Sequence, residues 1–97
     1  MTDNVEVNQL EITDVTDSKG NRIEPEGETS DRTLIVYGKT YRLAEVTIED
    51  DFLPRGKVTA DPAGKWKVTL EELPKGERYF QAEVGGERSQ SWIVYIV

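Results

Sequence analysis

Apolar and polar residues alternate through most of the chain, most clearly between residues 56 and 80. An Asp-Pro-Ala-Gly turn at 61–64 divides this stretch into two alternating segments, and Pro62 presets the backbone for the second turn position. A period of two places one set of side chains in a core and the other set in water. The pattern therefore predicts a β-hairpin with Trp66 on its buried face.

The remaining segments read as further short strands joined by turns. Val15 is out of phase with Leu10 and Ile12, which predicts a bulge near Asp14. The predicted strands cover 9–15, 33–37, 45–50, 56–60, 65–70, 80–84 and 91–97, with turns at 17–21, 51–55 and 85–86 and an exposed loop at 24–31. About seven short strands without a helical period predict an all-β fold, an antiparallel sandwich.

The inward positions of these strands define a predicted core. Its members are Leu34, Val36, Val46, Ile48, Val58, Trp66, Val68, Leu70, Leu73, Phe80, Ala82 and Val84. Burying such a set in a single layer between two sheets suits one domain, which we place at residues 9–97 after a polar tail or linker at 1–8.

The last strand is apolar on both faces, unlike a half-exposed strand. We expect Trp92, Val94 and Ile96 to point inward, because that choice buries more carbon and leaves a tyrosine hydroxyl in water. The opposite face would then be a contact surface for a neighbouring module or a partner, unless the domain covers it itself. That face consists of Ile93, Tyr95 and Val97.

Composition removes several classes of function. The 97 residues carry a net charge of −7, which argues against binding to nucleic acid, since that needs a basic surface. No run of 18 apolar residues is present, so we expect no membrane insertion by this segment. The first residues lack the basic and apolar regions of a signal peptide. Histidine and cysteine are absent, and we expect no enzyme.

Calcium is the one cofactor that the acidic residues suggest. Ca²⁺ takes six to eight oxygen ligands, and five aspartates lie in or beside predicted loops, namely Asp61 and the four that we take as candidates. These candidate metal ligands are Asp17, Asp31, Asp50 and Asp51. Their spacing matches no EF-hand loop, and aspartates also favour turns without any metal. We therefore expect no cofactor, or at most a calcium ion with a small effect on the stability of the isolated domain.

Several short motifs resemble one family. They are Asp17-x-x-Gly20-x-x-Ile23, Leu34-x-Val36-x-Gly38, Ala60-Asp61-x-x-Gly64-x-Trp66, Leu73-x-x-Gly76 and Phe80-x-Ala82. In this order they resemble the bacterial immunoglobulin-like domains that are repeated in tandem in large surface adhesins and biofilm-associated proteins. The match runs from Ile12 to Val97, and departs from the family at Tyr41–Leu43 and Gly85–Glu87.

The resemblance implies an immunoglobulin-like sandwich that serves as an extracellular or cell-surface module in structure or cell adhesion. Its partners would be neighbouring domains of the same chain, or a glycan or surface protein. An alternative is a carbohydrate-binding module that uses exposed aromatic residues, for which Tyr37, Tyr41 and Tyr79 are candidates. Aromatic residues clustered on one sheet would favour sugar binding, whereas charged residues there would favour a spacer.

Overall fold

A computed structural model describes residues 10–97, and this range forms nine β-strands and no helix. The predicted tail at 1–8 lies outside the described residues, as does Gln9 at the start of the predicted first strand. The strands are β1 (Glu11–Asp17), β2 (Gly27–Thr29), β3 (Leu34–Lys39), β4 (Glu45–Asp50), β5 (Leu53–Thr59), β6 (Lys65–Leu70), β7 (Gly76–Val84), β8 (Glu87–Arg88) and β9 (Trp92–Ile96).

The strands form two sheets, which confirms the predicted all-β sandwich. One sheet has three strands in the order β1-β3-β6, and the other has six, with β2-β9-β7-β4-β5 in sequence and β8 beside β7. The described pairs are antiparallel except for β2 and β9, which run parallel. Two strands are additions to the prediction: β8, and β2, which lies inside the segment expected to be an exposed loop.

The core lies between the sheets and contains most of the predicted residues. Half-buried Val58, Val68 and Val84 pack against its margin instead of lying within it. Ile23, which the pattern left isolated, is also buried. The buried apolar residues are Val15, Ile23, Leu34, Val36, Val46, Ile48, Ala60, Trp66, Leu70, Leu73, Phe80, Ala82, Trp92, Val94 and Ile96.

Two local predictions have opposite outcomes. The bulge predicted near Asp14 is present, because the register between β1 and β3 shifts between Ile12 and Asp14. The turn predicted through Pro54 is wrong. The chain reverses at Asp51–Phe52, and Pro54 already belongs to β5. Proline is tolerated there because β5 is an edge strand, with no other strand of residues 10–97 on its far side.

The chain enters and leaves the sandwich at opposite ends. Glu11 pairs with Lys39 at the end of β3, whereas Ile96 pairs with Gly76 at the start of β7. We call these ends the amino pole, with the loops at 40–44 and 61–64, and the carboxyl pole, with the loops at 18–22, 30–33 and 71–75. The molecule measures 46 Å along its longest axis and 21 and 20 Å across it.

Candidate functional site

The turn between β4 and β5 holds two successive residues in the left-handed region. The φ angles are 52° at Asp51 and 70° at Phe52. Aspartate tolerates this conformation, but for a phenylalanine it is strained, at a cost of about 1–2 kcal/mol. The turn also exposes its apolar residues, since Phe52 is 59% exposed and Leu53 is 60% exposed. Surrounding contacts must therefore stabilise this conformation.

Asp50 supplies the first of these contacts. Asp50 is 2% exposed, and its Oδ2 accepts hydrogen bonds from Arg78 Nη1 at 2.9 Å and Arg55 Nε at 3.2 Å. Its Oδ1 accepts the N–H of Tyr79 at 3.0 Å, and the N–H of Asp51 donates to the Tyr79 carbonyl at 2.8 Å. Because a buried charge needs full pairing, this arrangement fixes the end of β4 against β7.

A second ion pair supports the other side of the turn. Arg88 Nε donates to Glu49 Oε1 at 2.8 Å, and the guanidinium lies 5.3 Å from the centre of the Phe52 ring. The hydrogen bond to Glu49 raises the pKa of Arg88, so the guanidinium remains charged. Its stacking on Phe52 is a cation–π contact that covers one face of the ring.

A recess of 240 Å³ opens beside this turn. It exists because the β4–β5 hairpin stops short of the carboxyl pole: Asp50 pairs with Phe80, while β7 begins four residues earlier at Gly76. Leu53 and Tyr79 provide apolar walls, and Asp51 and Glu77 provide acidic ones. The recess is open to solvent and lies toward the carboxyl pole.

The four candidate calcium ligands fall into two separate places. Asp50 already uses its oxygens on two arginines and a backbone N–H, and Asp51 lies in the strained turn. Asp17 accepts the N–H groups of Lys19 and Asn21 within its own turn. Within residues 10–97, no three acidic side chains gather closely enough to hold a metal ion. A small effect of calcium on stability stays a prediction.

Asp17 and Asp31 instead hold the loops of the carboxyl pole together. Asp31 accepts hydrogen bonds from the backbone and hydroxyl of Ser18 and from the N–H of Thr33. The Ser18 hydroxyl is the main cause of the lowered pKa of Asp31, and the Asn21 N–H is the main cause of the lowered pKa of Asp17. Hydrogen bonds that favour the charged carboxylate produce both shifts.

The last strand faces as predicted. Trp92, Val94 and Ile96 are buried, with exposures of 7%, 0% and 1%. On the opposite face, Ile93 is half-buried, while Tyr95 is 36% and Val97 is 58% exposed. The outward face predicted as a contact surface is thus partly open to solvent.

The aromatic side chains lie on several separate surfaces. Tyr37 is half-buried on the three-stranded sheet, and Tyr41 is 38% exposed in the loop at the amino pole. Tyr79 pairs with Ile93, so it shares the outer face of the six-stranded sheet with Tyr95. Trp66 is 5% exposed and belongs to the core, where Gly38 leaves room for its indole ring.

Sequence reasoning missed Phe52, Leu53 and the partners of Asp50. Arg78 lies 28 residues from Asp50 in the chain, and no local pattern marks such a pair. The Asp-Phe turn carries neither the glycine nor the asparagine that usually marks a left-handed position. A signal was present only in the alternation of β4, whose inward phase of Val46 and Ile48 continues to Asp50 and so predicts a buried carboxylate.

Two further observations bear on function. Within the described range, no helix is long and apolar enough to cross a membrane. Comparison with known proteins finds no matching family model, no matching curated protein and no matching solved structure. Function must therefore be inferred from the geometry of the chain itself.

Proposed function

We propose that this chain is a non-catalytic, immunoglobulin-like module that acts as a stalk or spacer in an extracellular or cell-surface protein of the bacterial adhesin type. The observation that carries the proposal is the position of the two ends of the described chain. Leu10 adjoins β1 at the amino pole, and Val97 follows β9 at the carboxyl pole. Modules of this geometry extend an array when they are joined in series.

The strand arrangement suits a chain that is pulled at its ends. Tension between Leu10 and Val97 acts on β1 from the amino pole and on β9 from the carboxyl pole. The hydrogen bonds of β1 to β3 and of β9 to β7 and β2 then share the load together, instead of breaking one after another. A spacer under tension needs this property, because simultaneous rupture of many bonds takes more force than sequential rupture.

The topology supports the immunoglobulin-like part of the proposal. In constant-type immunoglobulin sandwiches the first, second, fourth and fifth strands share one sheet, and the third, sixth and seventh share the other. Setting aside the two short strands β2 and β8, six of the seven long strands here follow that division: β1, β3 and β6 form one sheet, and β4, β7 and β9 lie in the other. The fourth long strand, β5, departs from it, because it pairs with β4 at the edge of the second sheet.

Binding of a carbohydrate is the second candidate. Tyr79 and Tyr95 share the outer face of the six-stranded sheet, and aromatic rings on an exposed sheet can stack on sugars. The same sheet also carries a charged pair, Glu49 of β4 with Arg88 of β8, and Tyr79 is half-buried; both observations weaken this candidate. A titration with soluble polysaccharides distinguishes the two candidates: amide shifts at both tyrosines would support sugar binding, and unchanged spectra would favour the spacer.

The spacer proposal predicts that the domain is displayed outside the cell. Antibodies raised against the purified domain should label intact cells that produce the parent protein, with an antibody to a cytoplasmic protein as the control. Brief protease treatment of intact cells should remove the label. Labelling that appears only after the cells are permeabilised would contradict an extracellular role.

A further inference from the structure

We infer that consecutive copies of this module meet end to end, with the loop at 41–43 of one copy seated in the recess beside Asp51 of the copy that precedes it. The inference rests on the proposed spacer function and adds the contact between modules to it. The occupant of the recess is thus a second copy of the same fold, presented by its amino pole.

The first half of the contact is an exposed loop at the amino pole. Tyr41 is 38% exposed and Leu43 is 55% exposed, and the exposed Arg42 lies between them. Three consecutive large side chains thus project from one end of the molecule. Surface leucines are common singly, but this group lies at the amino pole, where a neighbour in an array would be met.

This loop is held rigidly although its side chains face water. The N–H of Thr40 donates to the Gly64 carbonyl at 2.8 Å, and the N–H of Leu43 donates to the Asp61 carbonyl at 3.2 Å. Leu43 also adopts a φ angle of 60°, which is strained for a leucine. Residues kept in strained conformations often mark sites of recognition, and a rigid loop loses little entropy on binding.

The second half of the contact is the 240 Å³ recess toward the carboxyl pole. Its apolar walls, Leu53 and Tyr79, suit the side chain of Leu43. Asp51 and Glu77 suit the guanidinium of Arg42. The lining also includes Asp50 with its partners Arg55 and Arg78, so three acidic and two basic side chains leave the recess with a net charge of −1, opposite to that of Arg42. The two poles are therefore complementary in both apolar surface and charge.

The recess is also a preformed shape. Its floor is fixed by Asp50 with Arg55 and Arg78, so the backbone that carries the acidic walls is held without a partner. The Asp51–Phe52 turn that borders the recess is strained, as is Leu43 in the loop. The loop at 41–43 and the recess thus both combine apolar residues with a strained segment, and their charges are opposite. Because they lie in opposite halves of the molecule, a contact between them is head-to-tail and repeats without closing.

Charge reversal tests the contact on the isolated domain. The wild-type chain should show concentration-dependent amide shifts at 41–43 and at 51–53 up to about 2 mM, where a contact with a Kd near 1 mM is visible. Arg42→Glu, and separately Asp51→Asn combined with Glu77→Lys, should each weaken self-association at least tenfold by sedimentation. An equimolar mixture of the two variants should restore it, because each then offers the charge that the other needs.

An exposed position away from both features provides matched controls. Lys67 lies within β6 on the other sheet, and Lys67→Ala and Lys67→Glu change the charge and should leave self-association unchanged. Thermal melts establish that every variant is folded. Wild-type spectra that do not change with concentration would overturn the inference, as would variants that behave like the controls. Surface labelling does not depend on this contact, so failure here would leave a spacer with flexible joints.

Discussion

Two hairpin turns in the six-stranded sheet have similar, positive φ angles but different residues: one consists of two glycines, and the other of an aspartate and a phenylalanine. Gly85 and Gly86 join β7 to β8 with φ angles of 58° and 92°, and an added Cβ at either would meet no atom within 4 Å. Asp51 and Phe52 join β4 to β5 with φ angles of 52° and 70°. The first turn is free of strain because glycine has no Cβ, whereas the second carries two.

The difference shows what a strained turn requires from its surroundings. The glycine turn has few contacts beyond its own hairpin, where Glu83 accepts the Gly86 N–H. The Asp-Phe turn follows the buried Asp50 cluster, and Arg88 covers the Phe52 ring. Tertiary contacts thus select a conformation that the local sequence disfavours. As a result, the Asp-Phe turn holds the exposed side chains of Phe52 and Leu53 at a fixed position, whereas a glycine turn has no side chain to hold.

Removing the support should have the largest effect. Asp50→Ala leaves Arg55 and Arg78 without their carboxylate, and we expect a loss of about 3 kcal/mol in the free energy of unfolding, the lower end of the range for broken buried ion pairs, because both arginines are partly exposed. Chemical denaturation measures it. Asp50→Asn keeps the shape and serves as the control with a smaller loss. A loss below about 1 kcal/mol for Asp50→Ala would mean that the turn does not depend on the cluster.

Adding a Cβ to the relaxed turn should have the next largest effect. Gly86→Ala places a side chain at a φ angle of 92° with open space around it, so its cost is purely conformational, about 1–2 kcal/mol. Urea titration of this variant beside Glu87→Ala, which changes a neighbouring exposed residue, isolates the cost. Equal stability of the two variants would show that this turn relaxes to another conformation.

Removing the Cβ from the strained turn should have the reverse effect. Phe52→Gly and Phe52→Ala both lose the contact with Arg88, so the difference between them reports only the backbone. We expect the glycine variant to be more stable than the alanine variant by about 1 kcal/mol. If the alanine variant is the more stable one, the left-handed conformation at Phe52 is not strained.

The stability of a third turn, at residues 17–21, should depend on pH. Asp31 and Asp17 fix the loop at 17–21 as carboxylates, and both have lowered pKa values. A lowered pKa adds stability above the unfolded value near 4, and this stability disappears as the pH falls through the folded value. Asp31→Asn should therefore flatten the decline in thermal stability between about pH 4 and pH 2. An unchanged slope would remove Asp31 as a source of that decline.

Local chemistry explains which parts of the fold could be predicted. The turn at 85–86 was readable because glycine marks left-handed positions, and the inward face of β9 was readable from the volumes of Trp92 and Val94. The turn at 51–52 was misplaced onto Pro54 because its determinants, Arg78 and Arg88, come from distant strands. β2 was missed since three residues give no measurable alternation and its parallel pairing with β9 is long-range.

Single-molecule pulling tests the central claim, that the module transmits tension from pole to pole. The chain has no cysteine, so one introduced beside Leu10 and one at Val97 attach it uniquely. A second pair, at Leu53 and Val97, pulls across the sheet and peels β5 from its edge. We expect a clearly higher unfolding force for the pair at Leu10 and Val97 than for the pair that peels β5. An equal or lower force for the pair at Leu10 and Val97 would contradict a spacer built to bear load.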